Sequence, residues 1–210
     1  MERELEKPPG RREARKQDRR DAIIAVAKRT FFENGYSGTS MSAISAELGG
    51  SKGTLWSYFP SKEELFSAVL ETVTSEYRRQ LADLFRPGVD VRTMILEFCR
   101  SFIAKITSPE AVRLHRLVAA EVNRFPEVGE IFYRRAPQPT QELLAGFLAR
   151  EMEAGTLRHE DPRRAARALT SLCMGGTHQR MLMGQETTAE ERDQEARLAA
   201  DIFMRAFAPD

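Results

Sequence analysis

A short stretch in the first third of the chain, SKGTLWSYFPSKEEL at residues 51–65, concentrates side chains that suit contact with a nucleic acid. Lys52 can donate hydrogen bonds to O6 or N7 of guanine, and Gly53 permits close approach of the backbone to a base edge. Trp56 and Tyr58 can pack on a thymine methyl group or reach a phosphate. These residues predict a DNA contact, which requires an element that projects them into a groove.

The surrounding pattern predicts three short helices that provide this element. Apolar residues recur at helical spacing from Asp21 to Asn34, and Gly35 follows where a left-handed cap is needed. A second helix runs from Ser40, its N-cap, to about Leu48, and the Gly49-Gly50 pair then turns the chain sharply. The third helix stops before Pro60. A helix that follows a glycine turn in this way is presented to the major groove.

The rest of the chain has helical periodicity, with no period-2 alternation typical of a half-buried strand. Helix starts are marked by a capping box at Ser61, by N-caps at Asp90 and Asp161, and by Ser108-Pro109. The helix after Asp161 is predicted to reach about Met183. We therefore predict an all-α protein of nine or ten helices, in which a three-helix helix-turn-helix precedes a six- to seven-helix ligand-binding and dimerisation domain.

Charge is distributed unevenly along the chain. Residues 1–62 carry a formal charge of +4 and residues 63–210 carry −3, which together give the net +1. A basic head suits a polyanionic partner. Residues 1–20, with Pro8-Pro9-Gly10 and a basic cluster, predict a flexible arm that either contacts DNA or is simply solvated. The predicted domains are this arm, a DNA-binding domain at 21–60 and an effector-binding and dimerisation domain at 61–210.

Several classes of protein are disfavoured by the composition. No apolar run is long enough to span a membrane, and the N-terminus lacks the apolar core of a secretory signal, so we expect a cytoplasmic protein. Cys99 and Cys173 are expected to be reduced helix residues, with a redox-sensing pair as the alternative. The three histidines share no metal spacing and no nucleophile motif is present, so neither an enzyme nor a bound metal or cofactor is expected.

The segment Gly35 to Leu70, GYSGTSMSAISAELGGSKGTLWSYFPSKEELFSAVL, closely resembles the DNA-binding domain of the TetR family of regulators. Residues 115–118 (HRLV) and 124–127 (RFPE), with Glu121, resemble the C-terminal domain of the AefR-like branch of that family. Three residues depart from the usual pattern, and none removes the motif. They are Ser45 for a common alanine, Gly50 for valine and Trp56 for tyrosine.

The resemblance and the contact chemistry together predict the residues that touch DNA. Ser42 is a groove contact by resemblance, and phosphate contacts are expected near the starts of helices two and four. Partial packing of Trp56 or Tyr58 in the thin core is the alternative for the aromatic residues, and a solvated side chain is the alternative for Lys62. The predicted DNA-binding residues are Thr39, Ser40, Ser42, Lys52, Gly53, Thr54, Trp56, Tyr58 and Lys62.

The resemblance also implies a homodimer on double-stranded operator DNA, and a small-molecule effector that releases it. Small residues in the last two helices (Ala165, Ala166, Ala168, Gly175, Gly176, Ala196, Ala199 and Ala200) favour a dimer surface there, although they could pack within one chain. Flexible Met- and Phe-lined cavities suit an apolar or amphiphilic effector. The predicted pocket residues are Phe98, Phe102, Leu117, Glu121, Phe125, Met174, His178 and Met181.

The function predicted is a sequence-specific DNA-binding transcriptional regulator, and specifically a homodimeric repressor released by its effector. Two alternatives remain open at this point. An enzyme would show turnover without DNA binding. An activator, or a regulator that needs no effector, has the same sequence features as a repressor.

Overall fold

The computed structural model describes residues 10–49, 52–85 and 88–209, except for the side chain of Lys52. Within these ranges every regular element is a helix, which confirms the predicted all-α fold. The helices are α1 (Arg11–Gly38), α2 (Met41–Glu47), α3 (Lys52–Tyr58), α4 (Lys62–Leu84), α5 (Val91–Ile106), α6 (Pro109–Glu121), α7 (Pro126–Arg135), α8 (Pro137–Glu153), α9 (Pro162–Met174), α10 (Thr177–Leu182) and α11 (Ala189–Phe207).

The first helix begins ten residues earlier than predicted. Residues 11–20 are helical, where the sequence predicts a flexible arm. Gly10 accepts the first helical hydrogen bond, from the amide of Ala14, and the residues after it are mostly good helix formers. Residues 1–9, the remainder of the predicted arm, lie outside the described residues. As predicted, the first part of α1 ends at Gly35, whose φ of +73° breaks the helical geometry.

The helix predicted from Asp161 to Met183 is two helices, which raises the count in the described ranges to eleven. Gly176 has φ −109° and ψ −100°, outside the helical region, and separates α9 from α10. A Cβ atom at this position would lie 2.0 Å from Oε2 of Glu195 on α11. A side chain at this position would therefore require the Glu195 carboxylate to move.

Several predicted helix starts are confirmed by their capping bonds. The side chains of Asp90, Ser108 and Asp161 accept hydrogen bonds from backbone amides in the first turns of α5, α6 and α9. The Ser61 hydroxyl accepts from the amide of Glu64 at the start of α4. These caps satisfy amides that have no partner within the helix.

The chain divides into two compact units between Val69 and Leu70, nine residues beyond the predicted boundary. In the first unit, the rings of Phe31, Tyr36 and Phe66 pack together with centroids 5.2 to 5.8 Å apart. In the second unit, α5, α8, α9 and α11 bury the main core. Cys99 and Cys173 are buried, free thiols in this core. A hydrogen bond with Cys99 and burial raise the pKa of the Cys173 thiol.

The small residues that suggested a dimer surface are mostly interior. Five of them are buried against neighbouring helices of the same chain, so they allow close packing within the protomer. On α11 the outward apolar residues are instead Leu198 and Ile202, which are 57% and 41% exposed. The buried five are Ala165, Ala166, Ala196, Ala199 and Ala200.

Candidate DNA-binding surface and effector cavity

The first unit contains the helix-turn-helix, formed by α2, the turn after it and α3. Ser40 caps α2, with its hydroxyl accepting from the amide of Ala43 at 3.1 Å. Gly49 has a φ of +64°, the left-handed conformation that the turn needs. Gly50, where the family pattern has valine, lies outside the described residues. Ile44 and Leu55 are buried, one on each helix, and so fix α3 by its apolar face.

The opposite face of α3 is open. Gly53 is exposed and Trp56 is 38% exposed, whereas Leu55 and Phe59 are buried. The partial exposure of Trp56 is compatible both with the predicted DNA contact and with the partial core packing that was its alternative. Lys52 begins the helix, but its side chain lies outside the description.

The candidate phosphate contacts fall into two groups. Ser40 is exposed at the start of α2, and Thr54 and Tyr58 are partly exposed on α3. Ser42, the predicted groove contact, is also exposed on α2. Thr39, in contrast, is buried, and its hydroxyl donates to the carbonyl oxygens of Gly35 at 2.7 Å and Thr30 at 3.2 Å. The structure therefore does not support the predicted contact through the Thr39 side chain, which instead holds the turn between α1 and α2.

Lys62 has a defined position rather than the freely solvated one that was its alternative. Its Nζ lies 4.1 Å from the centroid of the Tyr36 ring, and the Tyr36 hydroxyl donates to Glu63 at 3.2 Å. The backbone amide of Glu63 lowers the pKa of the Glu63 carboxyl, as do Ser61, Tyr36 and Lys62, so this carboxylate stays ionised. The cation–π contact places the ammonium group at the first turn of α4.

Sequence reasoning missed the packing of α1 beside the end of α3. A groove between them is lined by Lys16, Gln17 and Arg20 on α1 and by Ser57 and Tyr58 on α3. The guanidinium of Arg20 lies 5.2 Å from the centroid of the Phe59 ring. The basic cluster at residues 11–20 was the available signal, but its helical conformation was not predicted. The packing of α1 therefore places the positive charges of Lys16 and Arg20 next to α3.

The second unit contains a cavity of about 90 Å³ whose walls are mainly apolar. Two of the predicted pocket residues, Phe102 and Met174, line it. Other lining residues were not predicted, because their positions depend on how the helices pack. These include Val73, Tyr77, Ile106, Leu114, His115 and Phe132.

The other predicted pocket residues do not line this cavity. Phe98 is fully buried in the core, where its ring stacks on Phe102 with centroids 5.5 Å apart. His178 lies behind the wall, with its ring centroid 4.8 Å from that of His115. The remaining four, Leu117, Glu121, Phe125 and Met181, are absent from the lining of the cavity.

Two polar groups of this region are unusual because they are buried without partners. Among the described residues, the Tyr77 hydroxyl and Nε2 of His178 have no hydrogen-bond partner. Ser101 lies close enough to the Tyr77 hydroxyl to influence the phenol, but the pair does not have hydrogen-bond geometry. Burial raises the pKa of Tyr77 and lowers the pKa of His115, while burial and His115 lower the pKa of His178 to about 4. All three groups are therefore neutral near pH 7.

The described residues provide neither a metal-binding cluster nor a membrane-spanning helix. Across the described ranges, no cluster of three or more His, Cys, Asp or Glu residues could hold a metal ion. No helix in the described part of the chain is long and apolar enough to cross a membrane.

Comparison with known proteins places both units in one family. Residues 23–69 match the model of the tetR family of bacterial regulatory proteins, and residues 93–209 match that of the C-terminal domain of AefR-like transcriptional repressors. YhgD of Bacillus subtilis strain 168, an uncharacterised HTH-type transcriptional regulator, is 22% identical over 138 residues, which are 66% of this chain and 69% of YhgD.

Solved structures agree with this assignment. The flavonoid-responsive regulator FrrA is 31% identical, with a TM-score of 0.79 over 92% of this chain and 98% of FrrA. A TetR-family regulator from Mesorhizobium loti MAFF303099 has a TM-score of 0.81 over 92% of this chain and 98% of its own, and at 23% identity it supports the fold. The chain belongs to the TetR family of bacterial transcriptional regulators and is a DNA-binding regulator, not an enzyme.

Proposed function

We propose that the protein is a homodimeric repressor that leaves its operator when a small apolar or amphiphilic effector binds. The observation that carries the DNA-binding part is the open face of α3, where Gly53 and Trp56 are exposed while Leu55 and Phe59 hold the helix from behind. An N-terminal helix end with small or flat side chains fits the major groove.

The proposed contacts follow from exposure and chemistry. Trp56 and Lys52 would contact base edges, and Gly53 would allow the backbone to approach them. Lys62 would pair with a phosphate from the first turn of α4. Ser42 would contact the groove. Further phosphate contacts are proposed for Ser40, Thr54 and Tyr58, and for the basic first turns of α1.

The effector would bind in the cavity of the second unit. Its apolar wall and few polar groups are typical of small-molecule sites. FrrA is named as a flavonoid-responsive regulator, and this name supports the proposal of an aromatic effector for the present protein. The effector would favour a conformation with lower DNA affinity. The shift in the equilibrium between this conformation and the DNA-binding one is set by how much more tightly the effector binds the former.

A homodimer is proposed because two DNA-binding units are needed to contact two half-sites about 34–36 Å apart. Leu198 and Ile202 project one turn apart on α11, and a matching face on a second chain would cover them.

Footprinting of the purified protein on the DNA upstream of its own gene tests the DNA-binding proposal. We expect two protected half-sites, spaced by one helical turn or a multiple of it, which resist excess random competitor DNA. Trp56→Ala should reduce this sequence preference, whereas Tyr133→Ala, which removes an exposed ring from α7, should not. Equal affinity for operator and competitor at moderate salt contradicts the proposal.

Repression and effector release need separate tests. A reporter gene behind the protected DNA should be less active when the protein is present, whereas higher activity would indicate an activator. Compounds that raise the thermal stability of the protein should also release the DNA. A regulator that needs no effector would show no compound with both effects.

A further inference from the structure

We infer that α1 carries a second DNA-binding surface, which lies beside the helix-turn-helix and binds the phosphates of duplex DNA of any sequence. The inference rests on the proposed function and deepens it, because it names the cations that give the protein its affinity for non-operator DNA. We call this surface the basic face. It consists of Arg12, Arg15, Lys16, Arg19 and Arg20.

The five cations form one continuous stripe because of their spacing. They occupy positions i, i+3, i+4, i+7 and i+8 of α1, which lie on one side of a helix. Asp18 and Asp21 lie on other sides of the helix, and Glu13 lies at the edge of the stripe. At a rise of about 1.5 Å per residue, the stripe places its five charges within about 12 Å. A duplex carries one negative charge per about 1.7 Å of its axis, so the two charge densities are similar.

The charges of the basic face are not neutralised within the described part of the protein. None of its five side chains forms an ion pair with a carboxylate of the described residues, whereas Arg29, farther along α1, pairs with Glu47 on α2. Arg12, Arg15 and Lys16 are exposed, and the other two are half-buried. The basic face therefore retains its charge for an external polyanion.

The positive charges of the basic face oppose the helix that carries them. Like charges four residues apart destabilise a helix, and α1 contains three such pairs in this segment. Cations in the first turns also face the positive end of the helix dipole. A row of phosphates would relieve both effects, so bound DNA should stabilise the first turns of α1. The three pairs are Arg12 with Lys16, Arg15 with Arg19, and Lys16 with Arg20.

The basic face adjoins α3. Lys16 and Arg20 line one wall of the groove whose other wall includes Tyr58. The guanidinium of Arg20 lies 5.2 Å from the centroid of the Phe59 ring, and this cation–π contact holds it beside the end of α3. Glu13 also lines the groove, but the two cations leave the α1 wall with a net positive charge. DNA that contacts α3 could therefore extend along the basic face.

The side chains of the basic face suit phosphates rather than base edges. Four of the five are arginines, whose planar guanidinium pairs with phosphate oxygens through two parallel hydrogen bonds. Contacts with phosphates position a protein on DNA but carry no direct information about sequence. We therefore expect the basic face to supply affinity for any duplex, and α3 to supply the preference for the operator.

Salt titrations with a labelled duplex of scrambled sequence test this inference on the full-length protein. The variant combines Arg12→Gln, Arg15→Gln and Arg19→Gln, because glutamine removes the charge and keeps a high helix propensity. The slope of log affinity against log salt should fall by about two to three for each protomer, since each phosphate contact contributes about 0.9. Fluorescence anisotropy measures this slope.

Two further triple variants assign the effect to the charge of the basic face. Replacement of the same three arginines by lysine keeps the charge and should retain most of the slope. Combined Arg92→Gln, Arg113→Gln and Arg150→Gln removes three charges from exposed sites on α5, α6 and α8, and should leave the slope unchanged. Thermal unfolding shows whether each variant retains its fold. If both glutamine triples have the same slope, the basic face does not bind DNA.

The ratio of operator affinity to scrambled-duplex affinity separates this inference from the proposed function. This ratio should change little in the α1 glutamine triple, because both duplexes lose the same phosphate contacts. A fall in the ratio at an unchanged slope would overturn the inference, since the basic face would then contribute to sequence preference. A wild-type protein without operator preference, but with an α1-dependent slope, would overturn the proposed function and leave the inference intact.

Discussion

The position of Lys62 illustrates how one side chain can serve both stability and DNA binding. Its ammonium group lies over the ring of Tyr36, and Glu63, next in the chain, accepts a hydrogen bond from the Tyr36 hydroxyl. A lysine in the first turn of a helix is slightly unfavourable beside the positive end of the helix dipole. The cation–π contact offsets that cost, and it keeps the charge where a phosphate could approach.

Lys62→Ala should weaken binding to all DNA sequences alike. Loss of one phosphate contact lowers the slope of log affinity against log salt by about one for each protomer. Salt titrations of operator binding by fluorescence anisotropy measure this slope. Arg113→Ala, an exposed site on α6 with the same change of charge, is the control and should leave the slope unaltered. The same slope in both variants would remove Lys62 from the DNA contacts.

The buried His178 should make the stability of the protein depend on pH. Its pKa of about 4 lies below the value of about 6.5 expected in the unfolded chain. Between these values the unfolded chain binds a proton that the folded chain does not, so stability falls as the pH falls from about 6.5 to about 4. The loss amounts to about 1–3 kcal/mol, and His115 adds to it in the same direction.

Urea unfolding of the wild type and of His178→Asn at several pH values measures this effect. The free energy of unfolding should depend less on pH in the variant, because the buried imidazole is gone. His159→Asn, which alters an exposed histidine, should retain the wild-type dependence. If His178→Asn also retains it, other groups cause the acid sensitivity.

At the scale of the helices, local signals were read correctly from sequence and packing was not. The caps at Asp90, Ser108 and Asp161 are confirmed because capping depends on residues within a few positions. The break at Gly176 was missed because glycine within a helical pattern is compatible with both a continuous and an interrupted helix. The cavity was missed because residues from helices far apart in the sequence line it.

Two glycines in helices differ in the space around them, and alanine substitutions at them should have opposite effects on stability. A Cβ at Gly129 on α7 would lie 2.7 Å from Cγ2 of Val122, whose β-branched side chain turns with difficulty. Gly129→Ala should therefore destabilise the protein by about 1–3 kcal/mol. At Gly146, exposed within α8, nothing lies within 4 Å, so Gly146→Ala should stabilise the helix by about 0.5–1 kcal/mol.

Chemical denaturation of both glycine variants checks the sign of each change. The midpoint should fall for Gly129→Ala and rise for Gly146→Ala, with similar slopes. A rise in both would mean that Val122 adjusts without cost. In that case the contact between α6 and α7 would be looser than the distances imply.

For the whole molecule, the decisive question is how two copies assemble. Of the alanines that first suggested an interface, all but Ala168 are interior, so close helix packing within the protomer explains most of them. The exposed apolar residues of α11 have no such explanation, and water contact of Leu198 and Ile202 is unfavourable. Pairing of this face with its copy would remove both side chains from water and join two DNA-binding units in one assembly.

If the proposed dimer forms through α11, the double substitution Leu198→Asp and Ile202→Asp should convert it to a monomer. Carboxylates buried without partners are strongly unfavourable, so the dimer dissociation constant should rise by about 100-fold or more. Sedimentation velocity over a range of concentrations measures the assembly. Operator affinity should fall with it, because a single DNA-binding unit retains contacts to only one half-site.

Tyr133→Asp places a charge at an exposed ring on α7 and should leave the dimer intact. If the double variant sediments as a dimer, the two copies meet through another surface.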